Sequence, residues 1–394
     1  MNRNFSFFII SSASTLLSIE IFHLVIPLTV LSLGYSAIQA GWCTFAFLAP
    51  GILVKIFIAP TIEKSDKKKI LLQNEIIRVS IILIFILILS LIKDINMILF
   101  IIPVSFLFGI FTTITEITEP SALKILLRDQ NATSIISKYE IRTRAVQLLA
   151  PTLCGALLSL GLFYPYILMT LLSFISIFLL LNLNLFHDSN SHTESRNLFQ
   201  SIKEAIIWIK NKPMFYKVVV LTSINNFLHP ILYLTIIYQL TFTDMGFDIT
   251  GYILSGLGIG GIIGSIISSK LLKLINFNQL VIGVNIFRII VFAGFILFPY
   301  PWGYFIFFVF KAILGGVWNV CYNIYTINEM PHSHIARVSA LSSLIIKSSA
   351  AIGSLFSGYL IKYSGVNFTL YILVILTIMM LLYTINIEKY NRKQ

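Results

Sequence analysis

Two ionisable side chains, Glu20 and His23, lie three residues apart within a long apolar run at the start of the chain. Residues at that spacing share one face of a helix. A carboxyl and an imidazole can take up and release protons, and ionisable groups deep in a bilayer are costly and usually functional. We therefore predict that Glu20 and His23 carry protons. A fixed ion pair between helices is the alternative role of Glu20.

Three basic side chains, Arg288, Lys311 and Lys347, occupy apolar runs in the second half of the chain. Each lies about nine or ten residues from the start of its run, hence roughly 14–15 Å deep at 1.5 Å per residue, near the middle of a bilayer. An anionic or zwitterionic ligand would balance this excess of positive charge, unless a lysine is neutral or pairs with Glu20. We predict a binding site here. Polar residues that could complete its lining, or form hydrogen bonds between helices instead, are His229, Asn225 and Asn319.

The composition places these groups inside a membrane. Of 394 residues, 57% are hydrophobic and 11% are charged, whereas a soluble domain carries about 25% charged residues. A soluble enzyme, a secreted disulfide scaffold and a disordered chain are excluded. The three cysteines lie in apolar runs without the spacing of a metal site, so we expect no metal and no cofactor.

Twelve apolar runs have the roughly 20 residues that a membrane-spanning helix needs. We predict helices at 5–33, 37–62, 70–92, 95–118, 139–162, 164–186, 217–240, 249–274, 279–299, 302–327, 337–361 and 366–387. One long polar interval, at residues 187–216, is predicted to be a linker. It separates an N-terminal bundle at 1–186 from a C-terminal bundle at 217–394. Within the linker, residues 198–210 have apolar side chains at helical spacing beside Lys203 and Lys210. This pattern predicts a helix on the cytoplasmic membrane surface, with a plain linker helix as the alternative.

The loops on one side of the predicted spans hold most of the 28 basic residues, whereas those on the other side hold only Lys93 and Lys362. Lys and Arg are retained on the cytoplasmic side. We therefore predict a multi-pass protein of the plasma membrane with both termini in the cytoplasm and the lipid bilayer as its surroundings. The same loops explain the net charge of +12, so no nucleic-acid partner is expected.

Small and charged residues inside the runs predict helix packing. Glycines recur every fourth residue from Gly256 to Gly264, which favours the close approach of another helix over cofactor binding.

Charged residues nearer the ends of the apolar runs are expected to snorkel or to form ion pairs at a gate. These are Lys55, Glu75, Arg78, Glu116, Glu119, Arg142 and Arg144.

Two short segments carry recognisable patterns. Residues 59–68 read APTIEKSDKK, between the second and third runs, and residues 150–155 read APTLCG, within the fifth run. They resemble, respectively, the G-x-x-x-D-R-x-G-R-K loop and the G-P-x-x-G-G antiporter motif of the major facilitator superfamily. The order of the segments along the chain is similar to that in the macrolide-efflux and siderophore-exporter branch of this superfamily. The further segments that carry this similarity are residues 109–120, residues 145–155, Pro331 and Arg337-Val338.

The resemblance covers nearly the whole chain and implies a fold and residue roles. The fold would be an all-α membrane protein of twelve helices, in two six-helix bundles around a central cavity. Residues Glu63, Lys64 and Lys67 would form a gating loop that holds the outward-open state. The antiporter motif would comprise Ala150, Pro151, Cys154 and Gly155.

The resemblance also implies an activity, which is secondary active export of a small organic molecule by alternating access. The chain contains no G-x-x-x-x-G-K-[ST] loop for ATP, so we expect an ion gradient, best supplied by protons, to drive transport. The cationic residues favour an anionic or zwitterionic metallophore or siderophore-like cargo over the lipophilic cations of multidrug efflux. Macrolide or multidrug efflux remains an alternative, as do a membrane-embedded enzyme and a non-transporting receptor. An enzyme is disfavoured because the carboxylates and histidines are scattered.

Overall fold

The computed structural model describes residues 3–58, 61–62, 65–91, 96–126, 132–184, 198–242, 247–329 and 335–391. These ranges fold into α-helices joined by short turns. The helices are α1 Arg3–Ser32, α2 Ala37–Leu48, α3 Pro50–Phe57, α4 Lys67–Leu91, α5 Ile98–Leu126, α6 Ala132–Leu160, α7 Tyr164–Leu181, α8 Leu198–Lys210, α9 Pro213–Thr241, α10 Phe247–Leu274, α11 Phe277–Leu297, α12 Pro301–Glu329 and α13 Ile335–Asn391.

Within the described residues, eleven stretches are helical, long and apolar enough to cross a membrane. A helix satisfies its backbone hydrogen bonds internally, which is why apolar runs of this length become helices in lipid. One stretch, Ala37–Phe57, combines α2 and α3. The predicted membrane protein with many spanning helices is therefore confirmed.

The longest stretch, Val338–Ile385 in α13, has 48 residues and covers the last two predicted runs. Its backbone leaves the helical conformation at Gly365, where φ is 76° and ψ is 169°. Only glycine adopts this combination readily. The break lies between the runs predicted at 337–361 and 366–387, so the helix is interrupted where the sequence predicts a loop.

The first compact unit comprises Met1–Thr193 and Thr243–Gly251. Helix α1 packs against α2, α5, α6 and α7 in this unit. Its hydroxyl side chains therefore bond to neighbouring helices, as Ser11 Oγ does to Ser176 Oγ of α7 at 2.8 Å. Further along α1, the ring of Phe22 stacks on that of Phe108 in α5, with centroids 3.9 Å apart.

The second compact unit comprises Glu194–Phe242 and Tyr252–Gln394. Here α9 packs along α13, which also packs against α11. The glycine row of α10 faces the backbone of α12. A Cβ atom on Gly256 would lie 2.9 Å from the Phe305 oxygen, and one on Gly260 would overlap the Val309 oxygen. The predicted close approach is confirmed, and its partner helix is α12.

Helix α8 has the predicted bounds and belongs to the second unit. Two of its side chains, Ala205 and Ile209, are buried against Phe215, Val219 and Val338. Ile209, one of the apolar residues that predicted a membrane-surface helix, therefore packs on the protein. The linker helix is fixed to the helices that follow it.

We expect Gly260→Ala to destabilise the protein by about 1–3 kcal/mol, because its new methyl group meets a backbone oxygen that cannot move aside. The matched control is Gly261→Ala in the same helix, where a Cβ atom meets nothing within 4 Å. The measurement is the fraction of detergent-solubilised protein that remains monodisperse after heating. Equal melting of the two variants would contradict the close approach of α10 and α12.

Candidate functional site

Arg288 of α11 is the most deeply buried of the three predicted cationic residues, with 4% of its surface exposed. Its Nη1 donates a hydrogen bond to Asn285 Oδ1 at 2.6 Å. The Asn285 amide in turn donates to Thr384 Oγ1 of α13 at 3.1 Å, and the guanidinium lies 5.9 Å from the ring centroid of Trp318. These contacts orient the guanidinium, but none neutralises its charge.

Thr384 also accepts a second hydrogen bond. Its backbone oxygen accepts from Lys217 Nζ of α9 at 2.9 Å. Through Asn285, Thr384 therefore connects Arg288 to Lys217, a buried lysine near the start of α9. The sequence analysis missed Asn285 and Thr384. The three-residue spacing of Asn285 and Arg288 is a signal that could have identified the first of them.

Lys311 of α12 and His229 of α9 are hydrogen-bonded, through Nζ and Nδ1. Such a bond needs a proton on one nitrogen and a lone pair on the other, so the bonded pair carries at most one positive charge. Arg288 lies over the ring of Trp318, which is seven residues beyond Lys311 on α12. The structure thus pairs Lys311 with His229 and places Arg288 against the helix that carries Lys311, and these are three of the residues predicted to bind substrate.

No carboxylate is available in the spanning segments of the second unit to balance these cations. The segments 213–242, 249–327 and 335–387 contain neither Asp nor Glu. Charge balance must come from outside these segments, which makes the group a candidate anion-binding site.

The other predicted substrate residues have different surroundings. Lys347 of α13 and Asn319 of α12 are exposed, whereas Asn225 of α9 is half-buried. Their place in a binding site stays a prediction. Among the described residues, no cluster of three or more His, Cys, Asp or Glu could hold a metal ion.

The predicted proton-carrying residues lie on α1 of the first unit. Glu20 and His23 are both half-buried. The His23 ring packs beside that of Phe47 in α2, with centroids 5.4 Å apart. Their shared helix face and partial burial allow a protonation role, which stays a prediction.

A buried polar network in the first unit contains four of the charged residues that were expected to snorkel or to form ion pairs. Glu75 and Arg78 form an ion pair on α4, with side chains only 2% and 1% exposed. Thr15 Oγ1 of α1 donates to Glu75 Oε2 at 3.0 Å and is hydrogen-bonded to Ser176 Oγ of α7 at 2.9 Å. The network therefore ties three helices together.

A second buried ion pair joins Glu119 of α5 to Arg142 of α6 at 3.2 Å. The Tyr139 hydroxyl donates to Glu119 Oε2 at 3.1 Å, and Arg142 Nη1 donates to the backbone oxygen of Ser12 in α1 at 2.8 Å. A small cavity lined by Glu75 and Glu119 lies within this network.

Of the two roles expected for these charged residues, the two carboxylates and two arginines of this network form ion pairs and do not snorkel. The physical reason is that each charge has an opposite charge beside it, within one helix for Glu75 and Arg78 and between adjacent helices for Glu119 and Arg142. In contrast, Lys55 and Glu116 form a partly exposed pair at 3.9 Å. Arg144 Nη1 donates to Gln147 Oε1 at 3.1 Å.

Part of the predicted gating loop is visible. Lys67 Nζ donates to the backbone oxygens of Ile62 at 2.9 Å and Ser65 at 2.7 Å, so this lysine holds the chain that leads into α4. Glu63 and Lys64 lie outside the described residues.

The residues of the predicted antiporter motif share one buried face of α6. They are Ala150, Pro151, Cys154 and Gly155. The first turns of α10, which belong to the first unit, pack on this face. A Cβ atom on Gly251 would lie 2.6 Å from Gly155 Cα and 2.7 Å from the Pro151 oxygen. The small residues thus permit contact between two helix backbones.

We expect Glu119→Gln to destabilise the protein by about 3–5 kcal/mol, because it leaves Arg142 buried without its counter-charge. The matched control is Glu116→Gln on the same helix. It removes a longer, partly exposed ion pair and should cost at most about 1 kcal/mol. Denaturant titration in a fixed detergent compares the two. A larger loss for Glu116→Gln would refute the structural role of the buried network.

The structural and sequence comparisons agree on the fold. In fold, the chain is similar to a mutant of the nucleoside transporter NupG, with a TM-score of 0.80 and 11% identity over 98% of this chain and 99% of that one. It is also similar to a bacterial homologue of the iron transporter ferroportin in the inward-facing state, with a TM-score of 0.74 and 12% identity over 98% of both chains. A D-xylose–proton symporter gives a TM-score of 0.70 and 11% identity over 97% of this chain and 95% of that one.

No curated protein matches the sequence. The family model of the Major Facilitator Superfamily matches residues 8–352. That match covers most of the chain and includes the helices that carry Glu20, Arg288 and Lys311. The chain therefore belongs to the Major Facilitator Superfamily, a family of membrane transporters of small molecules.

Proposed function

We propose that this protein is a secondary active exporter of a small organic molecule that is anionic or zwitterionic, such as a metallophore or siderophore-like metabolite. Its resemblance to the macrolide-efflux and siderophore-exporter branch supports export. The observation that carries the proposal about the cargo is the cationic group of Arg288, Lys311 and His229 in acid-free segments.

The charge argument starts from Arg288, which stays ionised in proteins. A buried ion costs several kcal/mol unless a counter-charge or hydrogen bonds compensate it. Asn285 accepts one hydrogen bond from the guanidinium of Arg288, and Trp318 provides a ring contact. These contacts leave further N–H groups of the guanidinium for a ligand. A guanidinium fork matches a carboxylate or a related planar anion in two parallel hydrogen bonds.

The hydrogen bond between Lys311 and His229 refines the charge count. The bonded pair contributes at most one positive charge beside Arg288. The site still repels a lipophilic cation, which disfavours the multidrug alternative. The structural neighbours are named for nucleosides, iron and xylose, so the shared fold leaves the cargo to be inferred from the site.

Coupling to protons is assigned to Glu20, with His23 beside it. Glu20 is the single acidic residue of α1 and lies in the middle of that helix. Similarity of residues 150–155 to the antiporter motif supports exchange of cargo for protons. The loop that contains Lys67 serves as the conformational latch implied by the same resemblance.

The break at Gly365 supports an arrangement of twelve spans in two bundles of six helices. The structure describes eleven membrane-length stretches, and the proposal counts Val338–Ile385 as two spans that meet at Gly365. An even number places both termini on one side, and the basic loops assign that side to the cytoplasm of a plasma-membrane protein.

The metabolites that accumulate in cells lacking the protein test the cargo directly. We expect at least one small molecule with a carboxylate or a related anionic group to accumulate inside and to be depleted outside. Re-expression of the wild-type protein should reverse both changes. Accumulation of only cationic or neutral compounds would overturn the proposed cargo class.

Arg288→Gln should weaken binding of that anion, because a hydrogen bond from a charged donor contributes about 1.5–3 kcal/mol, which corresponds to an increase of roughly 10–150-fold in Kd. Arg288→Lys should restore part of the affinity, since it keeps the charge but loses the planar fork. Binding to purified protein is measured by calorimetry.

The control for Arg288 is Lys362→Gln, which removes an exposed positive charge from α13. It should leave the Kd unchanged. If Arg288→Gln binds the anion as well as the wild type does, Arg288 is not part of the site.

Glu20→Gln should abolish cargo transport driven by a pH gradient in proteoliposomes, because the amide cannot exchange a proton. Exchange of labelled for unlabelled cargo without a gradient should continue. The control Glu140→Gln alters an exposed carboxylate on α6 and should behave as the wild type does. Retention of pH-driven flux in Glu20→Gln would remove Glu20 from coupling.

A further inference from the structure

A row of aromatic side chains marks one end of the second unit. The ring centroid of Trp208 in α8 lies 5.3 Å from that of Phe215 in α9. Phe215 stacks on Tyr325 of α12 at 6.4 Å, and Tyr325 stacks on Phe277 of α11 at 4.3 Å. Phe215 and Phe277 are in the first turns of their helices, and Tyr325 is near the end of α12. Trp and Tyr concentrate at membrane–water boundaries, so Trp208 and Tyr325 favour a position of α8 at the level of such a boundary.

Helix α8 presents a second face that is exposed in the part of the chain that the structure describes. While Ala205 and Ile209 are buried, Ile206 and Ile207 are 40% and 48% exposed. Lys203 and Lys210 are also exposed. The spacing of these four exposed residues is i, i+3, i+4 and i+7, which places them on one side of the helix. We call Lys203, Ile206, Ile207 and Lys210 the outer face of α8.

We propose that the outer face of α8 rests on the bilayer surface and binds the headgroups of anionic phospholipids. Its two isoleucines match the apolar boundary below the headgroups. Its two lysines, one turn to either side, can extend their stems over that boundary and keep their ammonium groups beside lipid phosphates. The exposed Lys212 continues the positive edge, and Glu204, the single acidic residue of α8, lies on the flank of the outer face.

The short connection to α9 keeps α8 at this level. Only Asn211 and Lys212 separate the end of α8 from Pro213 at the start of α9. Each residue spans at most about 3.6 Å. The outer face is therefore held beside the first turn of a spanning helix, where Tyr216 is also exposed. This site is separate from the proposed cargo site and does not depend on it.

The first experiment measures lipid selectivity. Full-length protein in detergent is titrated with short-chain phosphatidylglycerol or phosphatidylcholine, and its binding is followed by native mass spectrometry. Because each lysine near an anionic surface strengthens association about fivefold, Lys203→Gln combined with Lys210→Gln should weaken phosphatidylglycerol binding by roughly 25-fold. The matched control, Lys124→Gln with Lys270→Gln, removes two exposed lysines from other helices and should have little effect.

The second experiment locates the outer face in a bilayer. Cys43, Cys154 and Cys321 are buried, so a nitroxide label can be directed to Ile206→Cys in nanodiscs that contain phosphatidylglycerol. The label should be more accessible to oxygen, which concentrates in lipid, than to a water-soluble nickel chelate. The same label at Lys270→Cys provides an exposed comparison.

The proposal is supported if the label is in lipid and the double lysine variant selectively loses phosphatidylglycerol binding. Preferential access of the nickel chelate would place the outer face in water and overturn the proposal. Shielding from both reagents would indicate a second copy of the chain or another protein on this face, and would also overturn it. Equal loss in both double variants would overturn the assignment of the lipid site to α8.

Discussion

The cost of placing ionised side chains away from water governs both units of this protein. In the first unit the cost is met internally, because Glu75 pairs with Arg78 and Glu119 pairs with Arg142. The spanning segments of the second unit contain Arg288 and Lys311 without any acidic residue. These buried charges of the first unit are therefore paired, whereas the second unit has capacity for a counter-charge. Ion pairs buried among packed helices suit a scaffold, and cations without carboxylates suit the proposed cargo site, which would alternate between loaded and empty states.

Two kinds of contact attach the helices of this protein to one another. Lipid is as apolar as a leucine side chain, so packing and hydrogen bonds must provide the attraction between helices. Around α1, hydroxyl groups such as those of Ser11 and Thr15 bond across to α7 and α4. Between α10 and α12 the glycines bring backbone against backbone. The contact between α10 and α12 holds close to α10 the helix that carries Lys311 and Trp318.

The sequence predicts most of the fold because lipid imposes a simple length rule on apolar segments. It predicts helix ends less well, since hydropathy indicates which residues lie in lipid, whereas a helix can extend beyond those residues. Thus the run predicted from Tyr139 lies in a helix that begins at Ala132. The sequence indicates that Glu119 and Arg142 could form ion pairs but not that they pair with each other, because they are on different helices and their pairing depends on which helices are neighbours. Hydropathy also gives no sign that Ile209 packs inward while Ile206 faces outward.

Thr384 gives the second unit a mechanical property. Its side chain holds Asn285, which holds Arg288, and its backbone oxygen holds Lys217. At the proposed cargo site, a shift of Arg288 towards a bound anion would pull on Asn285, and through Thr384 on the last turns of α13 and the start of α9. These two positions lie near the ends of their helices and far along the chain from Arg288. An anion bound by Arg288 would therefore act on helix ends, where helices of a carrier must separate or close when it changes the side that it exposes.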